Sequence, residues 1–241
     1  MPSFHDTSRD VVLHYQITGS PDAFPVLLLA PGGMTSTIQA WQRGWIDPHG
    51  YLDRVRLIAM DQRNAGASKG PIEPDHDWST YLADQLALVD HLNLPRFAVL
   101  GMCIGGPYGL ALCRARAEQV AAAVLFQPLG KSENQDALDQ RFDAWRSEIE
   151  ADHPEADEDR WQRFRAAMFG GTFVFTVTPD EAAAIRTPVL LFAGNDSFHP
   201  LDVSELLAEQ LPHVTFVREW KAPHHADAVQ TQVREFLATH R

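Results

Sequence analysis

Gly101-Met102-Cys103-Ile104-Gly105-Gly106 is the stretch of this chain whose residue types and spacing point most directly to chemistry. It has the form G-x-S-x-G with cysteine in the serine position. An apolar run, residues 97–100, precedes it, and a helical pattern follows from Leu110 onward. Such spacing describes a sharp strand-to-helix turn that holds the central residue in a strained backbone conformation. A glycine two residues to either side lets strand and helix pass without a Cβ clash. The thiol of Cys103 is then expected above a sheet, at a helix N-terminus, where the dipole favours thiolate and lowers the pKa from about 8.5. The amide of Ile104 is expected to face a developing oxyanion. Cys113, ten residues on, lies about 15 Å along the same helix, too far to bridge to Cys103, and reads as core.

Three further clusters could complete that chemistry. Ala30-Pro31-Gly32-Gly33-Met34 follows an apolar run and leaves backbone N–H groups free, so Gly32 or Gly33 could supply a second oxyanion donor. Asp196, in Gly194-Asn195-Asp196-Ser197-Phe198-His199-Pro200, follows the apolar run 189–193. The carboxyl end of a strand is where open α/β sheets keep their sites, although Asn195 and Asp196 would equally serve an Asx turn. His224 and His225 come after the run 214–220, and a base of histidine's pKa suits deprotonation of a thiol near neutral pH. His224 is the expected base and His225 the alternative. Taken singly these are a Gly-rich turn, an Asx turn and two loop histidines; the order Cys, Asp, His, each after its own strand, makes them a candidate catalytic set. The histidines show no metal-ligand spacing, and residues 101–106 are not G-x-G-x-x-G, so neither a metal nor a nucleotide cofactor is expected.

The elements that must position these residues alternate between short β-rich runs and helical stretches. Residues 11–17, 26–30, 55–60, 97–102, 121–126, 189–193 and 214–220 read as strands, most of them buried on both faces. A helix is expected over 78–92 behind Asp77 as N-cap, and another closes the chain over 228–240. Strands separated by helices imply a mostly parallel sheet. About sixty residues between the strands ending at Phe126 and starting at Val189 are too many for a loop. Leu138, Phe142, Trp145 and Ile149 share one helix face, and Trp161, Phe164 and Met168 give a second stripe. Residues 172–178 (TFVFTVT) look β-like. The interval 128–186 is expected to be an inserted helical cap on a core of 1–127 and 187–241. Trp145, Trp161 and Phe173 could line an acyl pocket or simply pack the cap. Met34, Trp41 and His199 are pocket candidates by nearness to the motif loops.

On these residues the chain resembles the α/β-hydrolase superfamily over nearly its whole length. Asp61-Gln62-Arg63-Asn64-Ala65-Gly66-Ala67-Ser68 looks like that family's D-x-R-x-x-G-x-S loop. The G-x-C-x-G-G elbow is similar to that of dienelactone hydrolases, whereas the turn at 30–34 and the cap resemble cap-bearing esterases. The usual His-Gly before the oxyanion turn is replaced, and the segment from His224 to the last helix is short. The resemblance implies an α/β-hydrolase fold and a Cys103–His224–Asp196 triad hydrolysing a small ester, thioester or lactone through an acyl-thioester. Transfer of the acyl group, or ligand binding without catalysis, are the alternatives.

Composition bounds the partners. The 241 residues are 45% hydrophobic and carry a net charge of −12, which argues against nucleic acid or an anionic membrane surface. Two cysteines make no disulfide scaffold. No apolar stretch reaches the roughly 20 residues of a bilayer span, and no signal segment is visible, so a cytoplasmic protein acting on a small acyl substrate is expected.

Overall fold

A computed structural model describes residues 2–42, 46–50, 52–171 and 173–241. Eight strands form one sheet in the order β1-β2-β4-β3-β5-β6-β7-β8. They are β1 (Ser3–Asp6), β2 (Val11–Thr18), β3 (Phe24–Leu29), β4 (Val55–Met60), β5 (Phe97–Met102), β6 (Val120–Phe126), β7 (Val189–Phe192) and β8 (Val214–Val217). β1–β2 and β2–β4 pair antiparallel, and every pairing from β4 through β8 is parallel. The central strands are apolar at nearly every position because both faces are covered: all seven residues of β6 are buried. Alternate residues of one strand serve two cores. Leu27 and Leu29 pack on one side with Val99 and Tyr108, while Val26 and Leu28 pack on the other with Leu100 and Val233.

Helices α1 (Trp78–His91) and α2 (Gly105–Ala115) cover the first face. Asp77 caps α1 by accepting from the amide of Ser79. α7 (Ala226–Thr239) lays Val229, Val233 and Leu237, one stripe at i, i+4, i+8, on the second face. Between β6 and β7 run α3 (Gln135–Ile149), α4 (Glu158–Phe169) and α5 (Pro179–Ala184), and α6 (Leu201–Gln210) follows β7. Leu138, Phe142 and Trp145 of α3 and Trp161, Phe164 and Met168 of α4 are buried along the two stripes that periodicity singled out. Among the described residues no helix is long and apolar enough to cross a membrane.

Several boundaries and one element differ from the sequence reading. The run 172–178 is not a strand: over 173–178 the chain turns, with Phe173 and Phe175 at φ 56° and 64°. Positive φ at two bulky residues breaks the extended conformation that their β propensity favours; residue 172 lies outside the described residues. β8 stops at Val217, three residues before Trp220, and α7 starts at Ala226, so residues 218–225 connect them. α6 and the edge strand β1 were not anticipated.

The loop 61–68 is built on backbone satisfaction. Asp61 Oδ1 accepts from the amide of Ile38 and Oδ2 from that of Ala67. Gly66, at φ +55°, leaves no room for a Cβ beside that carboxylate. The neighbouring Arg63 donates from Nε and Nη2 to Asp84 on α1 at 2.9 and 2.8 Å, and Arg9 reaches the same carboxylate at 2.6 Å. Asp84 is fully buried, so its removal would leave Arg63 as an uncompensated charge. Asp84→Ala is expected to lower the unfolding free energy by about 3–5 kcal/mol in urea titration; a loss under about 1 kcal/mol would show that the pair is not a structural tie.

Candidate active site

Four strand ends deliver the candidate residues. β5 delivers Cys103, which sits at φ +59°, a conformation strained for any residue but glycine by about 1–3 kcal/mol. Its amide donates to the carbonyl of Phe126 at 3.0 Å, and its carbonyl accepts from Gly106 and Leu129 at 3.0 and 2.9 Å. A Cβ on Gly101 would run into the Gly105 carbonyl, and one on Gly105 into the Leu29 carbonyl. The glycine spacing therefore marks a place where β5, α2 and β3 touch backbone to backbone.

β3 delivers the turn of Gly32 (φ +124°) and Gly33 (φ +61°). The amides of Gly32 and Ile104 both act on the Cys103 sulfur and lower its pKa, so two donors from separate elements converge on one side chain. Gly33 lines the adjoining cavity. Cys103 is 5% exposed, and burial pushes its thiol up to about 11; the two amides and the Arg141 charge pull it down without offsetting that burial, and Asp196 adds to the rise. The expected lowering by the helix N-terminus is thus reversed. The thiol is protonated at neutral pH and needs a base at the moment of attack. Burial likewise pushes the core thiol of Cys113 up to about 12.

The cavity beside Cys103 measures about 300 Å³, at the small end for a ligand pocket. Gly32, Gly33, Met34 and His199 line it, as do Trp78, Gln127, Leu138, Arg141 and Phe169, which the sequence reading missed as lining residues. Gln127, at φ +38°, directly follows β6, and a residue just past a strand's carboxyl end was a readable signal. Arg141 borders the α3 stripe, one turn from Leu138, and a pattern read from apolar residues gave no reason to pick a charged one. Its Nη2 donates to the Gly32 carbonyl at 3.2 Å and to the Thr35 hydroxyl, joining α3 to the oxyanion turn. Trp41, Trp145, Trp161 and Phe173 are not part of the lining. Trp41 packs on the opposite face with Ile38, Trp145 and Trp161 pack edge to face with Phe142 and Phe164, and Phe173 packs within the first-face core, its carbonyl accepting from the Lys131 amide.

β7 delivers Asp196, whose partners differ from those expected. Oδ1 accepts from the amides of Phe198 and His199 at 3.0 and 2.7 Å and from Nδ1 of His199 at 2.9 Å. Oδ2 pairs with Lys221 Nζ at 2.7 Å. Burial opposes ionisation of this carboxyl, but the Lys221 bond and the His199 and Lys221 charges outweigh it and hold the pKa at about 2. His224 does not join this arrangement. It is exposed in the turn Pro223–His225, with its ring against that of His225 at 4.0 Å. Among the described residues neither histidine bonds Asp196 or Cys103 or lines the cavity. In the connection after β8 it is Lys221, not a histidine, that lies beside Asp196. No group of His, Cys, Asp and Glu among the described residues could hold a metal ion.

Comparison with known proteins agrees with this architecture. Residues 25–184 match the family model of the alpha/beta hydrolase fold. The chain is 32% identical over 118 residues to 3-oxoadipate enol-lactonase 2 of Acinetobacter baylyi, covering 45% of this chain and 40% of that protein. It is 32% identical over 117 residues to a proline iminopeptidase of Arabidopsis thaliana, covering 47% and 29%. The chain thus matches less than half the length of these curated relatives. The solved enol-lactonase of Burkholderia xenovorans superposes with a TM-score of 0.71 at 19% identity, over 98% of this chain and all of that one. Sheet order, elbow and family model together make this chain a member of the α/β-hydrolase fold family.

Proposed function

We propose that this chain is a hydrolase that cleaves a small ester, thioester or lactone through an acyl-thioester on Cys103. The observation that carries the reading is the convergence of the Gly32 and Ile104 amides on the Cys103 side chain, which lines a cavity of about 300 Å³. Donors fixed by the backbone need no reorganisation when a carbonyl oxygen gains charge, and each such donor is worth about 3–4 kcal/mol of barrier. The sulfur attacks the carbonyl carbon, its proton passes to a base, and the leaving oxygen or sulfur departs protonated. Water then hydrolyses the thioester and restores the thiol. The helical interval 128–186 acts as a cap, with Leu129, Leu138, Arg141 and Phe169 as its contribution to the pocket. A free buried thiol suits a reducing compartment, and the cytoplasm is the proposed location.

The similarity to an enol-lactonase supports a small acyl or lactone substrate. The cavity size supports the same, since about 300 Å³ excludes long acyl chains. A net charge of −12 would repel an anionic substrate at long range, but Arg141 at the rim supplies a local cation. A carboxylate at the far end of the acyl group is therefore favoured.

With p-nitrophenyl acetate as probe, wild-type protein is expected to release p-nitrophenol and to carry an acetyl adduct on Cys103 by peptide mass spectrometry. Cys103→Ala should lose both, with turnover down at least about a thousandfold. Unchanged turnover in Cys103→Ala would refute the nucleophile, and tight binding without turnover would leave the chain a ligand-binding member of its fold. Arg141→Gln should raise KM for the p-nitrophenyl monoester of succinate by about tenfold relative to p-nitrophenyl butyrate, the loss of one charge-assisted contact. Equal changes for both esters would remove the carboxylate preference.

A further inference from the structure

The proposed reaction leaves one group unnamed: the base that takes the proton of a buried, neutral thiol. We infer that His199 is that base, oriented by Asp196 from the same loop after β7, and that no histidine after β8 takes part. The inference rests on Cys103 being the nucleophile.

Four observations carry it. His199 Nδ1 lies 2.9 Å from Asp196 Oδ1, and a carboxylate can only accept, so Nδ1 holds the proton and Nε2 presents a lone pair. The residue is 9% exposed, its ring lines the cavity that Cys103 lines, and Nε2 is buried with no hydrogen-bond partner. An orphaned acceptor costs about 1–3 kcal/mol, and in this cavity its natural partner is a thiol or a water that must lose a proton. The loop is stiff where it matters: Asp196 Oδ1 also accepts from the amides of Phe198 and His199, and a Cβ on Gly194 would strike the His199 carbonyl. Finally, Lys221 Nζ sits on Asp196 Oδ2, so on the β8 side the carboxylate meets a cation rather than an imidazole.

The proton balance closes with this one group. Nε2 takes the S–H proton as the sulfur–carbon bond forms, and the imidazolium, stabilised by Asp196, returns it to the leaving oxygen or sulfur as that bond breaks. In the second half Nε2 takes a proton from water, whose oxygen bonds the thioester carbon, and delivers it to sulfur as the carbon–sulfur bond breaks. The titratable and charged groups facing His199 are Asp196 on its own loop, Lys221 after β8, and Cys103 and Arg141 across the cavity. Burial lowers the imidazole pKa, with Lys221 adding to it, and Asp196 only partly opposes this. A lowered pKa keeps the base neutral further into acid, so the acidic limb of kcat/KM should fall below the ordinary histidine value of about 6.5.

The test compares His199→Asn, His224→Gln and Cys103→Ala. Asparagine can keep an N–H toward Asp196, which preserves the loop, but offers no base. His199→Asn should slow the p-nitrophenyl acetate burst by about 10²–10⁴-fold and abolish the acidic limb, while His224→Gln stays within about twofold. Alkylation of Cys103 by iodoacetamide at pH 7, which needs no turnover, should slow in His199→Asn and not in His224→Gln. The reverse pattern, or alkylation at the wild-type rate in His199→Asn, overturns His199 as base. A burst that survives Cys103→Ala instead overturns the nucleophile, whatever the histidine variants do.

Discussion

The structure depends on a contact between backbones. The Leu29 carbonyl of β3 lies against the Cα of Gly105 on α2, and the Gly105 carbonyl against the Cα of Gly101 on β5. No side chain fits at either place. Because β3 and β5 pair in parallel from Val26–Ala98 to Leu29–Gly101, this contact fixes the height of the helix above the sheet. That height in turn sets where the Ile104 amide points and how far the turn at Gly32 must reach to meet it. The left-handed conformation of Cys103 is the price of the approach, and it is sustained by its backbone bonds to Phe126, Gly106 and Leu129.

A second dependence runs through Asp196. One carboxylate serves two partners on opposite sides, a cation on the connection after β8 and an imidazole three residues further along its own loop. The result is an ionised group whose two oxygens are both assigned, which fixes the imidazole tautomer as well as its position. An electrostatic tie of this kind needs no second strand to present the ring.

Much of this was legible from residue order. The elbow could be read because its glycine spacing is a local steric requirement, and the central strands because burial on both faces leaves runs such as Val120–Phe126 with no polar residue. The helices after β6 followed from the Leu138 and Trp161 stripes. What could not be read depends on where segments meet. His224 and Asp196 were joined on order alone, yet order says nothing about where a side chain points: the connection after β8 brings Lys221 to Asp196 and leaves His224 exposed. The cysteine pKa was misjudged in the same way: a helix N-terminus is a local signal, whereas the burial that outweighs it comes from residues far away in sequence. Phe173 and Phe175 have strand-like types, but their backbone obeys the turn that carries the chain between α4 and α5.

The aromatic residues between β6 and β7 have an evolutionary consequence. Phe142, Trp145, Trp161 and Phe164 pack on one another and hold α3 and α4 together without touching the cavity. Among the described residues of those two helices, only Leu138, Arg141 and Phe169 face it. The scaffold of the segment and the surface it offers to a ligand are thus encoded in different residues. Drift at three positions can change which molecules are accepted while the helices that carry them, and the elbow beneath, are inherited unaltered.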